Sequence, residues 1–456
     1  MNVPFTIRFN CYLLAFLSLA TSMTLYAGDT MLTLDLAIKQ AQQNDPWLVG
    51  NKYKQAALES ESIAAMALSD PIVSIGLLNV PTDGFDYNQE NMTQLKAGIS
   101  QMFPRGDTLQ LQSKKLQLLS NQNPHLREDR KAQIAVKVAA HWFDVFNAKE
   151  SIRLIEQDRG LFEQLLEIST ASYSSAYGGT QQQDVVRAQL ELTRLDDRLT
   201  KLKQKQDVAQ KKLIQWVSGQ FVEHYTDSIN VSLDDTDNQS LPALVLKQPD
   251  LLELDDDILS EKLVNYLVRH PSYLALESRI QASEANVELT KQKYKPQWGL
   301  NAAYSYRADT PNGRSRADFL SIGINFDLPL FTENKQDKQL QASISESEAI
   351  KTQKWLLLRK MIAAFQANKA QLERLGQRSQ LYEQELLPKI REQAEAALTA
   401  YTNDEGDFSE VVRARIDVLD AEIDYLGINV DSQKTISQLN YYLEINNIDS
   451  VLNEGN

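Results

Sequence analysis

Cysteine is almost missing from this chain, with one in 456 residues. That residue, Cys11, lies inside an apolar N-terminal stretch. Residues 1–27 read as an export signal: Arg8 is the positive start, "CYLLAFLSLA" the apolar core and Ala27 the small residue at the cleavage point. The expected mature chain then carries no thiol, which excludes disulfides, thiolate metal ligands and a lipid-bearing cysteine. Histidine is nearly as scarce. Its four positions, His125, His141, His224 and His270, are scattered, and no phosphate-cradling glycine loop, HExxH or GxSxG occurs. Neither enzymatic activity nor a resident metal or cofactor is expected.

Basic residues are outnumbered 47 to 61, and 46 to 61 once Arg8 leaves with the signal, so nucleic acid is not an expected partner. No run of about 18 apolar residues follows residue 27, so no transmembrane helix is expected. A membrane β-strand needs only about 10 residues with one apolar side, a weaker signal that this absence leaves open.

What the sequence does contain is a duplication. Shifted by 225 positions, Pro46 falls on Pro271, Pro71 on Pro296, Pro104 on Pro329, Gly98 on Gly323 and Ile99 on Ile324, with no gap. "DVVRA" at 184–188 matches "EVVRA" at 410–414 one position further on. Residues 28–220 form the first repeat, 221–262 a polar, helix-breaking link, and 263–456 the second repeat with its tail. Each repeat runs helix, proline, strand, loop, strand, proline, long helices.

The expected strands are 71–80, 94–103, 297–307 and 316–328. Alternation is clearest in the last, where Leu320, Ile322, Ile324, Phe326 and Leu328 share one face and Ser321, Gly323, Asn325 and Asp327 the other. Two stretches of 70 residues, 107–176 and 332–401, show helical spacing; at about 1.5 Å per residue each could extend roughly 105 Å, far beyond a compact domain. Pro124 and Pro388 are expected to kink these stretches or mark local ends. Between strand and helix, Phe103 and Pro104 end the ladder, Gly106 allows a tight reversal and Asp107 can cap the helix; Pro329 marks the same point in the second repeat, with Thr332 as the cap. His270 stands where the first repeat has Asp45, which suits a helix-start residue better than a metal ligand.

Four strands cannot close a membrane barrel, since the smallest have about eight. Open edges in lipid would leave backbone groups unpaired at several kcal/mol each, so the subunit must borrow strands from copies of itself. Two copies would give eight strands and three would give twelve.

The segments "LTLDLAIKQAQQNDPWL", "GLLNVPTDGFDYNQENMTQLKAGISQMFPRGDTL" and "YGGTQQQDVVRAQLEL", with the duplication, resemble the TolC family of outer-membrane efflux proteins over essentially the whole mature chain. The resemblance implies an α+β, mostly α subunit of a homotrimer: a twelve-stranded barrel in the outer membrane of a Gram-negative bacterium, continued by a long α-helical barrel across the periplasm. It implies a passive conduit that takes substrate from an inner-membrane pump through a periplasmic adaptor protein. The stretch from "NVPTDGF" to "MFPRGDTL" resembles most the CusC and CzcC branch, which serves metal-exporting resistance-nodulation-division pumps. Drug efflux or type I secretion through the same architecture is the alternative, and a structural periplasmic coiled-coil protein with a soluble sheet is a third reading.

Functional candidates lie where the long helices turn back. Tyr177, Gly178, Gly179, Thr180 and Gly406 match the family's tip pattern and would be adaptor contacts. Asp404, Glu405, Asp407 and Glu410, with Asp184 as the first-repeat counterpart of Glu410, are candidates for an acidic ring that favours cations in a narrow pore. Met66, Met92 and Met102 form no spaced cluster and read as packing or loop residues.

Overall fold

The computed structural model describes residues 32–174, 182–218, 241–403 and 405–445. The expected signal lies outside them. The two repeats open alike. Helix α1 (Leu34–Asn44) starts where Thr33 Oγ1 accepts the Leu36 N–H at 3.3 Å. Helix α2 (Pro46–Ala64) has Asp45 as its cap, accepting the Trp47 N–H at 3.2 Å, and proline at N1, where a missing N–H costs nothing.

Strands β1 (Ile72–Leu78) and β2 (Gln94–Phe103) follow, then α3 (Thr108–Ser174) and α4 (Gln182–Val217). After a 3₁₀ turn at Pro249–Glu253 come α5 (Asp256–Leu267) and α6 (Pro271–Lys291). Here His270 takes Asp45's place, its Nδ1 accepting the Ser272 N–H at 3.2 Å, again with proline at N1. Strands β3 (Trp298–Tyr306) and β4 (Phe319–Phe326) lead into α7 (Gln336–Leu381), a π-helical turn at Tyr382–Leu386, α8 (Leu387–Thr402) and α9 (Phe408–Tyr442).

The long elements answer their prolines locally. Helix α3 runs 67 residues with Pro124 inside it, where the Ser120 carbonyl loses its normal donor. Asn123 replaces that donor: its side-chain amide donates to Ser120 O at 3.2 Å and Leu119 O at 3.0 Å. The Asn123 Oδ1 in turn accepts from Asn51 of α2 at 2.9 Å, so the repair also fixes α2 in place. Pro388 is handled differently. The wider π turn immediately before α8 relieves the clash of its ring with the preceding carbonyls, and α7 continues into α8 without a break.

The four strands form one antiparallel sheet in the order β1-β2-β3-β4. Three of them are shorter than expected. Asn79, at φ 54°, turns the chain out of β1, and its side chain donates to Met92 O at 3.1 Å. Residues 316–318 are loop: Asp318 accepts the Arg307 N–H at 2.9 Å and Arg316 donates to Asn91 Oδ1 at 2.8 Å, tying the two outer loops together.

Helices α2, α3, α6 and α7 lie side by side in that order, α3 crossing from the first repeat to pack on α6 of the second. Among the described residues four apolar cores are strung along the helices, the smallest being Ala394, Ala414 and Val418 between α8 and α9. One gathers Ile134 to Phe146 with α1 and the end of α4. A second joins Ile155, Phe162, Leu195, Phe408 and Leu419 near the helical turns. The third packs α5 against Met361, Phe365 and Leu439.

Candidate functional site

The sheet has two chemically distinct faces, and the register decides them. Val73, Ile75 and Leu77 of β1 stand opposite Ile99, Ala97 and Leu95 of β2. Those in turn stand opposite Ala302, Tyr304 and Tyr306 of β3, and Leu300, Ala302 and Tyr304 meet Ile324, Ile322 and Leu320 of β4. One apolar face therefore crosses all four strands. It carries Phe103, Trp298 and Phe326 at one end, the last two 4.9 Å apart, and Tyr304 and Tyr306 at the other. Aromatic rings thus stand at both ends of the apolar face.

Ile75, Leu320 and Ile322 are more than 70% exposed, since no helix covers them. The interruption on this face is Gln101, whose amide donates to Ser69 O at 2.8 Å. The opposite face holds Ser74, Lys96, Ser100, Asn301, Ser321 and Asn325 with Gly98, Gly299 and Gly323, and carries Ile72, Leu78, Met102 and Phe319 at the strand ends. A Cβ at Gly299 or Gly323 would displace the amide of Asn325 or Asn301 that lies beside it.

At the strand-to-helix rim the expected residues come together. Phe103 ends β2 opposite Trp298, and Pro104 follows with no N–H to continue the ladder. Arg105 then reaches across the neighbouring junction: its Nη1 donates to Lys295 O at 2.7 Å and its Nη2 pairs with Asp327. The N–H of Gln297, which outweighs desolvation, and the Arg105 guanidinium hold the Asp327 carboxyl below its usual range. Gly106 has φ +42°, and a Cβ there would strike the side chains of Lys295 and Gln292.

Two expected caps are not made. The Asp107 carboxylate accepts from Lys295 Nζ at 3.1 Å, while its N–H donates to Gln292 Oε1 at 3.1 Å. A nearby ammonium outbids the helix for that carboxylate. Thr332 contributes its carbonyl, accepting from Lys335 and Asp337 N–H, and α7 begins later with no side-chain cap. Pro329 sits in a tight bend closed by Leu330 N–H to Leu328 O at 2.9 Å.

At the helical turns Tyr177, Gly178, Gly179, Thr180 and Asp404 lie outside the described residues. Between α8 and α9, Glu405 N–H donates to Ala400 O at 2.9 Å, and a Cβ on Gly406 would press on the backbone of Ala400 and Tyr401. Asp407 caps α9, accepting the Ser409 N–H at 3.3 Å. Glu405, Asp407 and Glu410 are exposed, whereas Asp184, the counterpart of Glu410, is buried. Duplicated sequence has diverged here in burial. Among the described residues no group of three His, Cys, Asp or Glu is placed to hold a metal ion.

Sequence reasoning missed a buried polar link between the repeats. His270 Nε2–H donates to the Tyr441 carbonyl at 3.0 Å, and Tyr441 Oη–H donates to Asp129 Oδ1 of α3 at 2.8 Å. Burial lowers the His270 pKa to about 4 and raises those of Asp129 and Tyr441. Its first-repeat equivalent, Asp45, pairs instead with Arg130 of α3 at 2.7 Å. The only hint in the sequence was histidine standing in the place of aspartate.

No family model matches the sequence, and no curated protein matches it. Solved structures do. The outer-membrane channel OprN shares the fold at a TM-score of 0.71 and 14% identity, over 90% of this chain and 89% of that one. CusC, solved for the conformational changes of folding and transmembrane channel formation, gives 0.69 at 14% identity over 91% and 92%. The Campylobacter jejuni outer-membrane channel CmeC gives 0.71 at 13% identity over 92% and 89%. At these identities the likeness shows the fold: a mostly helical subunit with a four-stranded antiparallel sheet.

Proposed function

We propose that this chain is a TolC-family outer-membrane efflux channel subunit that closes its sheet with two further copies of itself and conducts substrate passively. The observation that carries the reading is the sheet itself. It has an apolar face across all four strands, broken only at Gln101, an opposite face mainly of small and polar residues, and two edge strands whose ladders have no partner among the described residues. Unpaired edges are costly in lipid, so closure by copies follows if the apolar face meets lipid. With an even number of antiparallel strands, β4 of one copy meets β1 of the next antiparallel. Three copies make the twelve strands expected of the family.

The long helices would then continue the wall into the periplasm, ending where α3 gives way to α4 and α8 to α9, and these ends would meet the adaptor protein. The pump at the inner membrane supplies the energy. We assign heavy-metal cations as the substrate, supported by the sequence likeness to the CusC and CzcC branch and by the exposed carboxylates Glu405, Asp407 and Glu410 where α8 gives way to α9. These cations are cargo.

Deleting the chain and measuring sensitivity to copper, silver, zinc, cobalt and a panel of drugs tests the assignment. Raised sensitivity to the metals is expected; raised sensitivity to drugs alone would replace the metal assignment with drug efflux. Recovery of the protein as a water-soluble single chain without detergent would overturn the channel reading as a whole.

A further inference from the structure

The duplication lets one seam inside the chain predict another between chains. Inside the chain the β2–α3 junction lies against the α6–β3 junction. That contact is polar throughout: Arg105 donates to the carbonyl of Lys295, Asp107 pairs with Lys295 Nζ, and Gln292 accepts the Asp107 N–H. Shifting each residue by 225 turns this contact into one between the β4–α7 junction of one copy and the α2–β1 junction of the next. Arg105 becomes Leu330, Gly106 becomes Phe331 and Asp107 becomes Thr332. On the other side Lys291, Gln292, Lys293 and Lys295 become Met66, Ala67, Leu68 and Asp70.

Both sides change character together. Arg105, Lys291, Gln292 and Lys293 give way to the apolar Leu330, Met66, Ala67 and Leu68, while Lys295 becomes the carboxylate Asp70 and Asp107 becomes Thr332. Size changes in a complementary way too: a Cβ on Gly106 would strike Lys295 and Gln292, while the equivalent Phe331 would face the shorter Asp70 and Ala67. Among the described residues Leu330 and Phe331 are left largely uncovered, and Met66 and Leu68 half uncovered. Phe331 is 91% exposed, Leu330 72%, Met66 49% and Leu68 48%.

We infer that Leu330 and Phe331 of one copy seat on Ala67, Leu68 and the stem of Asp70 of the next, forming a mainly apolar seal where sheet turns into helix at each copy-to-copy seam. The inference rests on the reading that copies close the sheet, and it adds the residues and chemistry of the seam. Carrying the β2–β3 register across the same shift sets Ile324 opposite Leu77 and Phe326 opposite Ile75 of the next copy. The parity is right: all four residues lie on the apolar face, so the seam continues that face without interruption.

Within one chain residues 67 and 331 adjoin opposite edges of the sheet, three strand spacings or roughly 14 Å apart. A disulfide needs Cα atoms within about 7 Å. A cross-link between them must therefore join two copies. The expected mature chain has no cysteine, so Ala67→Cys with Phe331→Cys in the full-length protein provides a clean pair. Oxidation of the detergent-purified protein should shift it from single-chain to multiple-chain bands on a non-reducing denaturing gel, reversed by reductant, while neither single variant shifts.

Light scattering on the same sample separates two failures. A monomer would sink the channel reading itself. A multimer that does not cross-link would overturn the seal and leave the channel reading standing. A spin label on Phe331→Cys gives an independent measure: shelter from both water-soluble and lipid-soluble relaxants is expected, whereas full contact with the lipid-soluble one would show that lipid, and not a second copy, covers this site.

Discussion

Histidine 270 shows how one substitution between equivalent positions changes the response to pH. In the folded chain it is fully buried and neutral, with a pKa near 4, against about 6.5 when unfolded. A depressed folded pKa means that the unfolded chain binds the proton first as pH falls, so stability is lost between about pH 6.5 and 4. By pH 5 the loss is about 2 kcal/mol. Thermal unfolding at pH 7 and pH 5 should show that loss, and His270→Asn, which keeps a capping acceptor, should show a smaller one; an equal loss in both would assign the acid sensitivity elsewhere. Asn123 makes the second prediction at this scale. Its replacement by leucine leaves the Ser120 carbonyl and the Asn51 amide without their partner inside α2–α3, at a cost of about 1–3 kcal/mol. The sequence disclosed the proline that creates this need, and only the folded chain disclosed the asparagine that meets it.

At the scale of elements, helix starts and the strand faces were legible and the caps at the rim were not. Proline at N1 after Asp45 or His270, and alternation in β4, are local signals that do not depend on what packs nearby. Asp107 and Thr332 have the right chemistry for caps, but Lys295 arrives from 188 residues away to claim the Asp107 carboxylate. The two sheet faces predict opposite tolerance to charge. Ile322→Lys places an ammonium on the apolar face and should cost about 2–4 kcal/mol of folding in lipid vesicles. Ser321→Lys, one residue away on the polar face, should fold as the parent does. Folding into vesicles measured by heat-dependent gel mobility reads both, and equal losses would mean that the faces are not distinguished by lipid.

Across the whole molecule, the acidic turn tests the proposed pore. Glu405→Gln, Asp407→Asn and Glu410→Gln together remove three charges per copy while asparagine retains the cap of α9. Reversal potentials of the reconstituted channel should move toward lower cation preference; an unmoved potential would take these side chains out of the conduction path. The sequence by itself determined the duplication, the strand and helix periods and the proline-marked junctions, because each is written in spacing along the chain. Tertiary structure decided which residue satisfies which: Asn123 beneath Pro124, Lys295 beside Asp107, Tyr441 between His270 and Asp129, and the divergence of Asp184 from Glu410 in burial. These depend on helices far apart in sequence lying side by side, and a local pattern carries no record of the neighbour that will compete for a donor or cover a carboxylate.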